Sequence, residues 1–128
     1  MIPCQLTHVV IDESNDAQSL HIGEIDGDRH LVIGIGPMEA GAIDRAIRGE
    51  RFARPLTHDL LLRLITHTGY RCTEIRIVKM EQGTYFADLI LDGPEGEIAI
   101  DCRPSDALAL FARVQGARLL VAEDLLTT

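Results

Sequence analysis

The sequence predicts an α+β fold. The expected architecture is two duplicated β-β-β-α units with a mixed, largely antiparallel sheet and an extra helix between the repeats. Three observations predict it. Short apolar–polar alternations recur between turn residues through both halves, the mark of half-buried strands. In each half a stripe of apolar residues at helical spacing follows the third such segment. At an offset of 67 residues the halves also match: Leu31 with Ile98, Ile33 with Ile100, Pro37 with Pro104, Glu39 with Asp106, Ala40 with Ala107, Ile43 with Leu110, and Gly49 with Gly116.

Residues 5–12 read as a strand through Leu6, Val9, Val10 and Ile11. A polar turn at 13–16 leads to a second strand, 19–25, with Leu20, Ile22 and Ile25. Asp26-Gly27-Asp28 is a hairpin signal. The third strand, 30–35, ends at Gly36-Pro37. A helix over 39–48 follows, with Ala40, Ile43, Ala46 and Ile47 on one face and Gly49 as its stop. A polar connection, 50–55, reaches Thr57, a candidate N-cap for the extra helix, 58–68. Its stripe is Leu60, Leu61, Leu64 and Ile65, and Gly69 ends it.

The second half repeats this order. Strands are expected over 70–80 and 84–91, with turns at 81–83 and 92–96. A strand over 97–102 alternates Ile98 and Ile100 with Glu97, Ala99 and Asp101. Pro104 stops it, since proline cannot donate to a ladder. Ser105 is a candidate N-cap and Asp106 sits in the positive first turn of the next helix. That helix carries Ala107, Leu108, Ala109, Leu110, Phe111, Ala112 and Val114. Apolar on most sides, it belongs in the middle of the molecule. Arg103 and Asp106 then stand at its mouth, with Asp101 just before the corner. A last strand, 118–122, and a tail complete the chain.

The 128 residues suit one domain, spanning 1–128. Hydrophobic residues make up 46% and charged residues 25%, an ordinary globular mix. No stretch reads as a membrane span or a secretion signal, so the expected compartment is cytoplasmic. Cys4, Cys72 and Cys102 are odd in number and far apart, which suits a reducing environment and offers no zinc spacing. The net charge of −8 argues against duplex binding through a basic surface. It leaves open a metal-dependent enzyme acting on phosphates, because a divalent cation reverses the local field.

Four acids and one histidine fall near the motifs: Glu39, Asp59, Asp101, Asp106 and His58. Carboxylates with a histidine could hold Mg²⁺ or Mn²⁺, which prefer hard oxygen ligands. Equally, Glu39 and Asp106 could only stabilise helix N-termini, at up to ~1 kcal/mol each. If the halves pack about a pseudo-twofold axis, those two carboxylates approach one another. Arg54 and Arg103 each precede a proline. They suit phosphate clamps, or ion pairs with Glu39 and Asp106 that fasten the corners. Arg45, Arg48, Arg51 and Arg54 recur at every third position, either tracking a nucleic-acid backbone or solvating a helix end. There is no P-loop and no nucleophile elbow. Pro37 removes an N–H that a phosphate loop at Gly34-Ile35-Gly36 would need.

Gly36-Pro37-Met38-Glu39-Ala40, RPLTHDLL at 54–61 and DCRPSDALAL at 101–110 together resemble the bifunctional nuclease family. The likeness runs from about residue 6 to residue 125. Phe111 stands where a smaller residue of the family's helix is expected. The resemblance implies a compact α+β domain that acts on DNA and RNA. It places the family's motif residues on Glu39, Arg54, Thr57, His58, Asp59, Arg103, Ser105 and Asp106.

The expected function is a nuclease hydrolysing phosphodiester bonds of single-stranded DNA or RNA, dependent on a divalent metal such as Mg²⁺ or Mn²⁺. Asp106, Glu39, His58 and Asp59 are the expected catalytic residues, and the three acids the expected metal ligands. Arg103 and Arg54 would bind phosphate, with Ser105 and Thr57 in support. The alternative is a non-enzymatic, homo-oligomeric binding or regulatory module in which the same residues lock the two halves together. Either version is expected to form a homodimer or higher homo-oligomer and to have no membrane partner.

Overall fold

Two three-stranded meanders, each followed by a helix, are joined through one short strand. The computed structural model describes residues 1–128. In the first meander β1 (Ile2–Asp12), β2 (Ala17–Glu24) and β3 (His30–Ile35) pair antiparallel, and α1 (Pro37–Ile47) follows. After α2 (Thr57–His67) comes the second, β4 (Arg71–Glu81), β5 (Thr84–Gly93) and β6 (Gly96–Cys102), and then α3 (Pro104–Phe111). The last strand, β7 (Arg118–Val121), inserts between β1 and β4. It is antiparallel to β1 and parallel to β4, giving one seven-stranded mixed sheet of order β3-β2-β1-β7-β4-β5-β6. The α+β expectation is met.

The chain ends in more order than a tail. A 3-10 turn at Glu123–Leu125 carries it to β3, where His30 and Thr127 exchange backbone hydrogen bonds of 2.8 and 2.9 Å. Leu126 is buried in the core. No helix is long and apolar enough to cross a membrane.

Helix α3 is central, as its composition required. Arg103 is extended, Pro104 takes the first helical position, and Ala107, Leu108, Ala109 and Leu110 are all at most 2% exposed. Proline, not Ser105, opens the helix, so Ser105 lies buried in the first turn rather than capping it. α3 packs on α1, on α2, and on β4 and β5. Helices α1 and α2 stop where expected. Gly49 and Gly69 take the left-handed conformation, and the next residue's N–H reaches back to Arg45 and Ile65 respectively.

Helix α2 departs from its expected stripe. Only Ile65 is fully buried; Leu60, Leu61 and Leu64 are exposed and Leu62 packs inward instead. The helix lies at the side of α3, so a narrower face meets the core. Ile98 and Ile100 of the edge strand β6 are exposed too, although their ladder partners Leu91 and Leu89 are buried. Their offset equivalents on β3, Leu31 and Ile33, are buried. The two units therefore bury different residues at matched positions.

Leu108→Ala is expected to lower unfolding free energy by about 2–5 kcal/mol, measured by urea denaturation. Met38→Ala, on the exposed start of α1, should stay within about 0.5 kcal/mol of the parent.

Candidate functional site

Three loop–helix junctions meet at the carboxylate of Asp106. Extended Arg103 and Pro104 at the first helical position place Asp106 in the first turn of α3. Leu56 plays the same part for α2: it is extended, and Asp59 Oδ2 accepts its backbone N–H at 2.9 Å. Thr57, expected to cap this helix, is instead its exposed first residue. This start turns His58 toward α3, where its Nε2 lies 3.0 Å from Asp106 Oδ1. Glu39 enters from the first turn of α1. Its carboxylate folds over Gly36, where a Cβ would come within 2.5 Å of Oε2 and push the carboxylate aside.

Arg103 fastens the group. Its Nε donates to Asp106 Oδ2 at 3.0 Å, its Nη2 lies 2.9 Å from the same oxygen, and its Nη1 lies 3.6 Å from Glu39 Oε1. The equivalent acids of the two units do come together, on either side of one guanidinium. Burial raises the Asp106 pKa, but the hydrogen bonds from His58 and Arg103 outweigh it and hold the carboxyl below its ordinary value. Arg103 is held still more firmly protonated by Asp106. Its side chain is 66% exposed, so it faces solvent as well as Asp106. This is not the deeply buried pair that the corner could have held.

An ionised carboxylate only accepts, so His58 Nε2 must carry the proton shared with Asp106. Nδ1 is then the ring's free nitrogen, and it has no protein partner. The His58 side chain keeps 15% of its surface exposed, and Nδ1 is not among the sealed, unpartnered atoms, of which Arg45 Nε is the one. Beside the group lies a cavity of about 280 Å³, lined by Glu39 and Arg103 together with the end of β3, the β4–β5 turn and Pro104-Ser105.

Asp59 does not join this group. Its Oδ1 accepts from Arg113 Nε at 2.8 Å, and that bond, followed by the Leu56 N–H, depresses its pKa. Arg113 also donates through Nη1 to the carbonyls of Ala42 and Ala109, so it ties α1, α2 and α3 together. Reasoning from sequence missed Arg113; an arginine one turn past an apolar helix carries no local signal of its burial. Arg54 is exposed and pairs with no carboxylate, against the expectation of a corner ion pair. Asp101 is exposed on the β6 edge, away from His58. The Cys102 thiol is pushed up to about 12, first by burial and then by Asp106, Asp101 and Asp88, which removes it as a nucleophile near neutral pH.

The carboxylates do not fit a resident divalent cation. No three histidine, cysteine or acidic side chains are placed to share one. Arg103 pairs with both Glu39 and Asp106, and Asp59 is held by Arg113.

A family model described as the bifunctional nuclease domain matches residues 20–128. Uncharacterized proteins from two strains of Mycobacterium tuberculosis are each 40% identical over 116 residues, covering 91% of this chain and 68% of theirs. Bifunctional nuclease 2 of Oryza sativa subsp. japonica is 33% identical over 107 residues, covering 80% of this chain and 33% of its own length.

The depressed Asp106 pKa fixes the sign of a pH effect. Its native value lies below the unfolded one of ~3.9, so its contribution is complete above that range and is lost as pH falls through the native value. Thermal melts of parent and Asp106→Asn should therefore differ most near neutral pH. The gap should close as the pH is taken below 4, by roughly the point where aspartic acid is fully protonated.

Proposed function

The chain belongs to the bifunctional nuclease domain family, and from that premise we propose that it is a nuclease hydrolysing phosphodiester bonds of single-stranded DNA and RNA. The observation that carries this reading is the Asp106–His58 pair, with the other ring nitrogen unpartnered and Arg103 exposed beside it.

In this reading Asp106 fixes the imidazole so that Nδ1 keeps its lone pair and can take a proton from an attacking water. The positive charge that forms on the ring is stabilised by the ionised Asp106. Arg103 spends Nε and part of Nη2 on Asp106, and its remaining N–H groups offer a planar fork to a phosphate. Glu39 holds the other side of that guanidinium and so sets its direction. Ser105 is buried in the first turn of α3, and Asp59 sets the start of α2 through the Leu56 N–H. Because the carboxylates flank an arginine, no step is routed through a metal.

Association of two or more copies belongs to the proposal. Leu60, Leu61 and Leu64 on α2, and Ile98 and Ile100 on the unpaired edge strand β6, present apolar side chains that a second copy would cover. A purely oligomeric binding module with no hydrolytic activity is the second reading, and these same exposed residues favour it.

Cleavage of labelled single-stranded DNA and RNA by purified protein separates the two. His58→Ala should cut the rate by about 10²–10⁴-fold without changing the fold seen by circular dichroism. EDTA should leave cleavage in place. Loss on chelation would show that a cation displaces Arg103, and absence of cleavage in the parent would leave the binding module.

A further inference from the structure

The positive charge of this acidic chain is unevenly engaged. Of twelve arginine and lysine residues, eight lie within 4 Å of a carboxylate, and the four that do not are Arg45, Arg51, Arg54 and Arg63. All four fall between the last turns of α1 and the middle of α2. In the same region lies the larger cavity, about 430 Å³, between the α1–α2 connection and the end of α3. Its walls include Arg51, Arg63 and Arg113, with Phe52, Pro55 and Val114 among the apolar side chains.

Arg113 is only 11% exposed and is already neutralised by Asp59. Arg51 and Arg63 have no carboxylate within 4 Å, although Arg63 still helps to lower the Asp59 pKa from a distance, and Glu50 and Asp59 share the lining. Phe52 is 51% exposed, an aromatic ring left uncovered in a chain with few aromatics. Unpaired arginines with a free aromatic face suit a phosphate joined to a planar base. The cavity volume falls in the range of small-ligand sites and has room for one nucleotide rather than a duplex. Four unpaired cations on a chain of net charge −8 are also too few to follow a duplex backbone.

The cavity adjoins the Asp106–His58 pair through one turn of helix. His58 turns toward Asp106, while the next residue, Asp59, turns toward Arg113 on the cavity wall. A strand seated in the cavity would cross the first turn of α2 to reach the free nitrogen of His58, and exposed Arg54 lies just ahead of that turn.

We propose that this cavity is a nucleotide-binding subsite for single-stranded nucleic acid, with Phe52 stacking on a base and Arg51 and Arg63 holding its phosphates. The inference rests on the nuclease reading and names where the strand is gripped. Arg51 and Arg63 are binding residues with no part in bond cleavage. Their loss therefore raises KM and leaves kcat close to that of the parent.

The test is fluorescence anisotropy of a labelled oligothymidylate with the full chain, run beside cleavage of the same strand. Phe52→Ala should weaken binding about tenfold or more, and Phe52→Tyr should restore it. The Arg51→Ala/Arg63→Ala pair should weaken it similarly and flatten the salt dependence by about 1.4 in log–log slope, ~0.7 per phosphate contact. Arg71→Ala, on an exposed cation at the start of β4 that pairs with Asp92 and does not line the cavity, is the charge control and should change nothing. If the parent cleaves and binds the strand but the Phe52 and arginine variants match it, the subsite is wrong and the nuclease reading survives. If those variants lose binding in a protein that never cleaves, the subsite stands and the nuclease reading falls. A parent that does not bind the oligonucleotide, or that binds labelled oligoglutamate equally well, overturns the subsite.

Discussion

The structure of the site depends on one half-buried carboxylate with two donors. Asp106 has lost part of its hydration at the mouth of α3, and only the bonds from His58 and Arg103 make its charge tolerable there. Each charge-assisted bond of this kind contributes about 1.5–3 kcal/mol. His58 belongs to α2, and Arg103 reaches on to Glu39 of α1. One carboxylate therefore sets how three helix starts face each other. The geometry that satisfies Asp106 also leaves a histidine nitrogen unpartnered and the Arg103 guanidinium exposed. In the proposed function the atoms that stabilise the junction are the ones that would act on the substrate.

Arg113 provides the complementary tie at the other side of α2. It bonds Asp59 and the carbonyls of α1 and α3 in a nearly closed environment. With both ties in place α2 has little freedom to rotate, although most of its leucines face outward. That explains how a helix with a single fully buried residue, Ile65, can still position a reactive side chain at its first turn. Adjacent residues face opposite ways: His58 faces Asp106, and Asp59 faces Arg113 and the cavity beyond it. Cations with no partner then collect around that cavity because neighbouring carboxylates are already taken.

Much of this was legible in the sequence. Alternation and turn residues placed all seven strands, and the all-apolar face of 107–110 placed α3 in the core. Glu39 and Asp106 stood at matched positions in the sequence and both reach Arg103 in the fold, a shared partner that the sequence did not make evident. What escaped was set by contacts distant in sequence. Asp59 looked like a ligand because RPLTHDLL groups it with His58, yet successive helical residues point about 100° apart, and its partner is 54 residues away. The C-terminal residues read as a tail, since nothing local shows that Thr127 pairs with His30. Leucines of α2 read as a buried stripe because periodicity reports amphipathicity and not which neighbour, if any, covers the face.

The central claim is that Asp106 acts on the reaction through His58 and is more than a fastening between helices. A double-mutant cycle of Asp106→Asn and His58→Ala, measured on both single-turnover cleavage and unfolding free energy, tests it most directly. The account predicts strong coupling in the rate: the double variant cleaves no more slowly than the worse single variant, because either change disables the same unit. Rate losses that simply add, or that track the losses of stability one for one, would contradict it.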